Sequence, residues 1–149
     1  MRDERQVTTE EKDPKTETVT LTVPSHPKFL YVVRSALYPI VQSAGFSKQE
    51  TRKIILALDE ACSNIIKHAY EGNYSKPIEL TVTVSDDDFC ITVKDYGKRV
   101  DASRIAPRKL ADVRPGGLGT HFMNAVFDSV RYDTSGSQGT VLTLAKRRP

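Results

Sequence analysis

Cysteine is scarce in this chain of 149 residues, where only Cys62 and Cys90 occur. They lack the spacing of metal ligands and leave no disulfide framework to build. One falls in a predicted helix and the other in a predicted strand, where a reduced, buried thiol is expected. No long apolar run occurs, which excludes a membrane-spanning helix, and no secretory signal is visible. A soluble, cytoplasmic protein with no membrane partner is therefore expected. Neither sign of charge dominates, since 22 Lys and Arg stand against 19 Asp and Glu for a formal charge of +3. The basic residues are spread along the chain rather than gathered on one helix or tail, so nucleic acid is not an expected partner. There is no internal repeat, and the phosphate-binding pattern GxxxxGK(S/T) is absent. What is present, 38% hydrophobic and 28% charged residues, suits one domain large enough for a sizeable core.

Positions 1–17 are charged and polar and cannot bury enough surface to order themselves, which predicts a flexible lead-in before a single domain over 18–149. Over 18–23 threonine alternates with Val19, Leu21 and Val23, the pattern of a half-buried strand, and Pro24 stops it. Pro27 suits a first helical turn. Apolar residues at helical spacing then fill 29–44 up to Gly45, with Pro39 expected to bend the helix. Ser47 and Glu50 have the spacing of a capping box, so a second helix is predicted from there to about Tyr70. Ile54, Leu58, Ala61 and Ile65 give it a stripe to bury. After the turn-rich 71–76, Ile78, Leu80, Val82 and Val84 alternate, as do Phe89, Ile91 and Val93, which predicts a β-hairpin. Asp86, Asp87 and Asp88 between them read as solvated turn residues rather than a metal site.

The stretch 98–114 has no steady period and holds six basic residues (Lys98, Arg99, Arg104, Arg108, Lys109 and Arg114) against Asp101 and Asp112. So long a charged connection is either a mobile lid or disordered. Gly116, Gly117, Leu118 and Gly119 lead into a helix in which Met123, Val126, Phe127 and Val130 share a face. Strands over 129–134 and 140–145 close the chain around the turn 135–139, and 146–149 is expected to fray. Strand, two helices, hairpin, helix and hairpin predict an α/β fold, a two-layer sandwich with a mixed β-sheet and helices on one face.

Three places carry candidate chemistry. Glu60 and Asn64, four apart on the second helix, stack a carboxylate and a carboxamide beside the apolar stripe. An Asn oxygen suffices for magnesium, which takes one or two protein oxygens and keeps waters and phosphates for the rest, and the carboxylate is then free to act as a base. Taken alone, such a pair is usually just the polar flank of a helix. Asp95, Tyr96 and Gly97 lie where a strand ends, where a carboxylate can accept from an exocyclic amine and a glycine lets backbone approach a flat base. Taken alone, this is more often a plain strand-to-turn sequence. The glycine run at 116–119 puts bare backbone amides at a helix N-terminus, a ready phosphate site. Gly139 and Thr140 on a late strand complete the order.

The run DEACSNIIKHAY over 59–70, Asp95-Tyr96-Gly97, and Gly116-Gly117-Leu118-Gly119 together resemble the GHKL ATPase and kinase superfamily, which has the Bergerat, or histidine-kinase-like ATPase, fold. The EAxxNxxxHAY wording and the closing Gly139-Thr140 are most similar to the bacterial anti-sigma-factor serine kinases. The resemblance covers about 18–146. It implies that Asn64 ligates the magnesium on the phosphates of ATP and that Glu60 is the general base. It further implies that Asp95 binds the adenine amino group, aided through water by Thr140, that Gly97 lies against the base, and that Gly117 and Gly119 lie at the phosphates. His68 matches the wording but is left out of the chemistry, and Tyr70 is assigned to the core. One departure stands out: Arg99 occupies the place of the second glycine in the Asp-x-Gly-x-Gly pattern, which leaves the lid geometry open.

The resemblance thus implies an ATP- and magnesium-dependent serine/threonine protein kinase acting as an anti-sigma factor. Its substrate would be a small anti-sigma-factor antagonist, a sigma factor would be the alternative partner, and a homodimer is implied as well. The alternative is a module that sequesters a sigma factor and holds ATP only as a structural ligand. A histidine kinase fragment fits less well, because His26, His68 and His121 all lie inside the domain rather than on an upstream helical hairpin. A stand-alone ATPase would need a separate transducer domain.

Overall fold

The computed structural model describes residues 15–98 and 117–149. Strand β1 (Glu17–Pro24) is followed by a short 3₁₀ turn (Pro27–Phe29), helices α1 (Leu30–Ser43) and α2 (Lys48–Asn64), and the hairpin β2 (Pro77–Val84) and β3 (Asp88–Asp95). Helix α3 (Gly117–Val126) then precedes a second hairpin, β4 (Ser129–Asp133) and β5 (Thr140–Arg147). The five strands form one sheet in the order β1-β2-β3-β5-β4.

The two-layer α/β sandwich stands as expected, but all four strand pairings are antiparallel where a mixed sheet was expected. Connectivity explains this. Two helices joined by a short link bring the chain back to the end of the sheet it left, so β2 must run against β1. The crossover from β3 through α3 does set β4 parallel to β3, but it skips one place, and β5 fills the gap by hairpin pairing on β4.

Alternation decides which face is buried. Ile78, Leu80 and Val82, Phe89, Ile91 and Val93, and Leu142 and Leu144 point into the core, and the register sets Leu21, Leu80, Val93 and Leu142 in one row across four strands. Their neighbours Thr81, Thr83, Thr92 and Thr143 on the other face are only half-buried, the arrangement of a sheet covered on one side. The covering stripes are Val33, Leu37 and Val41 of α1 and Ile54, Ala57, Leu58 and Ala61 of α2. The Ser47 hydroxyl caps α2 by accepting the Glu50 N–H at 3.1 Å. Gly45, at φ +101°, turns the chain out of α1, its N–H donating to the Gln42 carbonyl at 3.0 Å. Pro39 lies within α1 on its exposed side.

Several local expectations change. Helix α2 ends at Asn64 and the chain continues to Ala69 as a π-helical turn. Val130 sits in β4 rather than on the helix face of Met123 and Val126. The C-terminal residues do not fray: β5 runs to Arg147, and Lys146 Nζ donates to the Val126 carbonyl at 2.8 Å. Arg148 donates from Nε to the Ala44 carbonyl at 2.8 Å and from Nη1 to the Ser85 carbonyl at 2.6 Å. Two of these acceptors lie at helix C-termini, where the dipole favours a cation. Asp86, Asp87 and Asp88 are exposed, as solvated turn residues should be. Both cysteines are free; Cys62 is wholly buried, which pushes its thiol up to about 12, whereas Cys90 is only half-buried on the open face of the sheet. Positions 1–14 of the lead-in, and 99–116 with Arg99 and most of the charged connection, lie outside the described residues.

Phe89, fully buried on the central strand, meets Phe46 edge-on with ring centroids 5.4 Å apart. Phe89→Ala is expected to cost about 3 to 5 kcal/mol through lost burial and a residual cavity. The melting temperature should fall on the order of 10 °C. A calorimetric scan showing no loss would contradict the placement of Phe89 at the centre of the core.

Candidate functional site

Three of the candidate residues, Asp95, Gly97 and Thr140, meet at one end of the sheet. Strand β3 ends there with Asp95, and β5 begins beside it with Thr140, the two being paired in register. Asp95 is 3% exposed. Its carboxylate accepts the Gly97 N–H at 3.0 Å and is also held by the Thr140 amide. Burial nevertheless pushes the carboxyl above its usual range, because two amides only partly replace the lost water. Next to it, the Thr140 hydroxyl oxygen is buried with no hydrogen-bond partner among the described residues. A buried carboxylate short of donors beside an unpartnered hydroxyl is a place prepared for an N–H group or a water from outside the chain.

Two glycines make this geometry sterically feasible. A Cβ on Gly139, at φ +73°, would fall 1.9 Å from the Asp95 carbonyl oxygen, so β5 can start against Asp95 only with glycine there. A Cβ on Gly97 would fall 2.4 Å from the Ala69 carbonyl oxygen. That carbonyl belongs to the π turn that continues α2. The wider turn gives the Tyr70 N–H to Ile65, and the Ala69 carbonyl is left to accept the Lys98 N–H at 2.9 Å. π turns of this kind recur at functional sites.

Through that turn α2 is joined to the Asp95 loop, and Glu60 and Asn64 lie along the helix leading into it. Both are half-buried. No hydrogen bond or ion pair among the described residues engages either side chain. The preceding Asp59 is engaged: Arg34 Nη1 on α1 reaches its two carboxylate oxygens at 3.1 and 2.9 Å. That contact leaves Glu60 as the free carboxylate of the pair. Helix α3 packs against α2, and the path from β3 to β4 puts its N-terminus, with Gly117 and Gly119 in the first turn, at this same end of the sheet. The first-turn amides of a helix have no partner within it.

Asp95, Gly97 and Thr140 are therefore in direct contact, Glu60 and Asn64 are tied to them through Ala69, and Gly117 and Gly119 reach the same end by packing of α3 on α2. His68, set aside in the sequence, is exposed on the π turn. The sequence reading missed two contributors. Tyr70, assigned to the core, also bonds the Asp95 loop through its hydroxyl, and a tyrosine rather than phenylalanine at the end of an apolar stripe is the signal for such a bond. Gly139 was quoted only as part of a motif, and nothing in the sequence announced how closely it approaches Asp95.

The histidine kinase-like ATPase domain family matches residues 23–146. The chain belongs to that family. Among curated relatives, the serine-protein kinase RsbW of Halalkalibacterium halodurans is 28% identical over 138 residues, covering 87% of this chain and 83% of the relative. RsbW of Bacillus subtilis is 26% identical over 121 residues, with 76% of each covered. Two solved structures share the fold. The RsbU and RsbW domains from Mycobacterium tuberculosis superpose with a TM-score of 0.62 at 20% identity, over 89% of this chain and 33% of that one. The SiaB–SiaC complex from Pseudomonas aeruginosa gives 0.65 at 11% identity, over 85% and 88%.

In a histidine kinase-like ATPase domain the residues present here fit a nucleotide. Asp95 and the Thr140 hydroxyl offer the acceptor and the water site that a base amine needs. Asn64 offers one uncommitted oxygen, which is what a phosphate-held magnesium asks of a protein. An amine donating to Asp95 favours its charged form, so nucleotide binding should lower a pKa that burial has raised. The expected result is a carboxyl carbon resonance for Asp95 that titrates above the ordinary aspartate value in the free protein and shifts down when ATP is bound. By linkage, ATP should bind more weakly as pH falls through the free protein's Asp95 pKa, because the protonated carboxyl no longer accepts on both oxygens. A resonance unmoved by saturating ATP would remove Asp95 from the base site.

Proposed function

We propose that residues 18–149 form one ATP-binding serine/threonine protein kinase unit that works as an anti-sigma factor in a partner-switching system. The observation that carries this reading is the Asp95 carboxylate, 3% exposed beside the unpartnered Thr140 hydroxyl, at the sheet end where α2 brings Glu60 and Asn64. Membership of the ATPase family and the RsbW serine-protein kinase relatives support it. The substrate would be an anti-sigma-factor antagonist, bound as a small folded protein, and the competing partner a sigma factor. The pairing of two copies is part of the same proposal and rests on resemblance to the short anti-sigma kinases. No described helix is long and apolar enough to cross a membrane.

Each residue has one task in this reading. Asp95, with Gly97 against the ring and Thr140 through water, selects and orients the base. Gly117 and Gly119 present first-turn amides toward the phosphates. Asn64 supplies the protein's oxygen to magnesium, and ATP with magnesium supplies the transferable phosphoryl group and the charge neutralisation that its departure requires. Glu60 takes the proton of the partner's hydroxyl as that oxygen attacks, which a carboxylate not already committed to an ion pair can do.

Replacing Glu60 with Gln tests the kinase against a binding module. Gln keeps size and reach but accepts no proton, so magnesium-dependent ATP affinity should persist while transfer to the partner falls about 10²- to 10⁴-fold. Asn64→Ala should instead lose magnesium-dependent affinity and transfer together. Nucleotide titration calorimetry and a radiolabelled phosphoryl-transfer assay read both. Wild-type transfer rates in Glu60→Gln would overturn the base assignment, and a wild type that binds ATP but transfers nothing to its partner would establish the sequestering module instead.

A further inference from the structure

Tyr70 looks like a core residue, since it is only 6% exposed. Its hydroxyl, however, is placed where three elements of the site meet. It accepts the Tyr96 N–H at 2.9 Å and donates to the Pro77 carbonyl at 2.5 Å. The β2–β3 ladder ends with Glu79 opposite Lys94, and the same register carried two pairs further along would set Pro77 opposite Tyr96. The phenol oxygen therefore stands between an amide and a carbonyl on facing strands and bridges them, holding the two strands apart at their ends.

The amide it holds belongs to the peptide that follows Asp95. The carbonyl of that same peptide lies against Gly139, where even a methyl group would fall 1.9 Å away. One side of the Asp95–Tyr96 peptide is thus bonded by Tyr70 and the other is walled by β5, so its plane cannot rotate, and the direction in which the Asp95 side chain leaves the backbone is set. Tyr70 itself begins where the π turn ends, one residue after the carbonyl that accepts the Lys98 N–H. On the opposite face of the sheet the Tyr96 hydroxyl donates to Glu79 at 3.0 Å, and Lys94 Nζ lies 4.8 Å from the Tyr96 ring centroid. Those contacts hold the Tyr96 side chain without touching the peptide that orients Asp95.

We infer that the Tyr70 hydroxyl is a positioning residue for base recognition, acting through the Asp95–Tyr96 peptide to set the Asp95 carboxylate and so the preference for adenine. This rests on the nucleotide reading of the site. Removing the hydroxyl leaves the Tyr96 amide and the Pro77 carbonyl facing each other across the space it filled. Either the strands close to pair them directly or both stay unsatisfied, and in each case the peptide carrying Asp95 shifts. A merely structural tyrosine would lower stability without changing which base the folded protein prefers.

The test compares wild type with Tyr70→Phe in the full chain, titrating non-hydrolysable ATP and GTP analogues with magnesium and measuring the melting temperature alongside. Tyr70→Phe is expected to weaken the ATP analogue about tenfold, the size of one misplaced hydrogen bond to a charged group, and to leave the GTP analogue within about twofold, so that the preference for ATP shrinks. Transfer at saturating ATP should stay within about threefold, a KM effect rather than a kcat effect. An unchanged ATP-to-GTP ratio in the variant, with or without a lower melting temperature, overturns the inference while leaving the nucleotide reading intact. A wild type that binds neither analogue overturns the nucleotide reading itself and the inference with it. If Tyr70→Phe does not fold, 3,5-difluorotyrosine at position 70 keeps the ring and the hydroxyl but makes the oxygen a poorer acceptor. The ratio must then fall in the same direction, and an unchanged ratio counts against the inference.

Discussion

Burying one carboxylate at the end of the central strand is the constraint on which the rest of this structure depends. Asp95 loses water on folding and receives two backbone amides in return, less than a carboxylate needs to stay comfortably charged. The fold tolerates that deficit because everything around Asp95 is immobilised: β5 presses on its carbonyl at Gly139, and α2 docks on the loop that follows it. A site left short of donors in this way discriminates well, because a ligand that supplies the missing donor relieves a cost that one lacking it does not.

The π turn after Asn64 is what lets one helix serve the whole site. The Ala69 carbonyl, at the last turn, has no partner within the helix. It accepts the Lys98 N–H, which ties the helix that carries Glu60 and Asn64 to the loop that follows Asp95. The Arg34 to Asp59 contact ties the same helix to α1 one residue before Glu60. The helix bearing Glu60 and Asn64 is thereby tied both to α1 and to the loop after Asp95, and holding groups in fixed relation is the preorganisation that the proposed transfer chemistry asks of a protein.

The opposite end of the sheet is built for a different purpose. There the carbonyl at the end of α1, the carbonyl of the hairpin residue Ser85 and the C-terminal residues are drawn together by Arg148, while Lys146 closes the end of α3. The candidate site lies at one end and chain closure at the other. The polar, threonine-lined face of the sheet remains open between them.

Local physics settled much of this protein before any tertiary contact formed. The Ser47 cap, the alternation through Ile78 to Val93 and the helical stripes of α1 and α2 depend on nearest neighbours, and these elements formed where periodicity placed them. The order of Glu60 and Asn64, then Asp95 and Gly97, then Gly117 and Gly119, then Thr140 was enough to carry the resemblance to the ATPase family that residues 23–146 match. What the sequence could not determine were the relations between distant segments. The all-antiparallel sheet follows from which strand β5 chose to pair with. The ordered C-terminus follows from carbonyls that Arg148 finds some 60 to 100 residues away. The second role of Tyr70 exists only because β2, β3 and the end of α2 converge on one hydroxyl. A hydrogen bond between residues far apart in sequence leaves no period to read, and close approaches such as Gly139 against Asp95 become visible only when the chain has closed on itself.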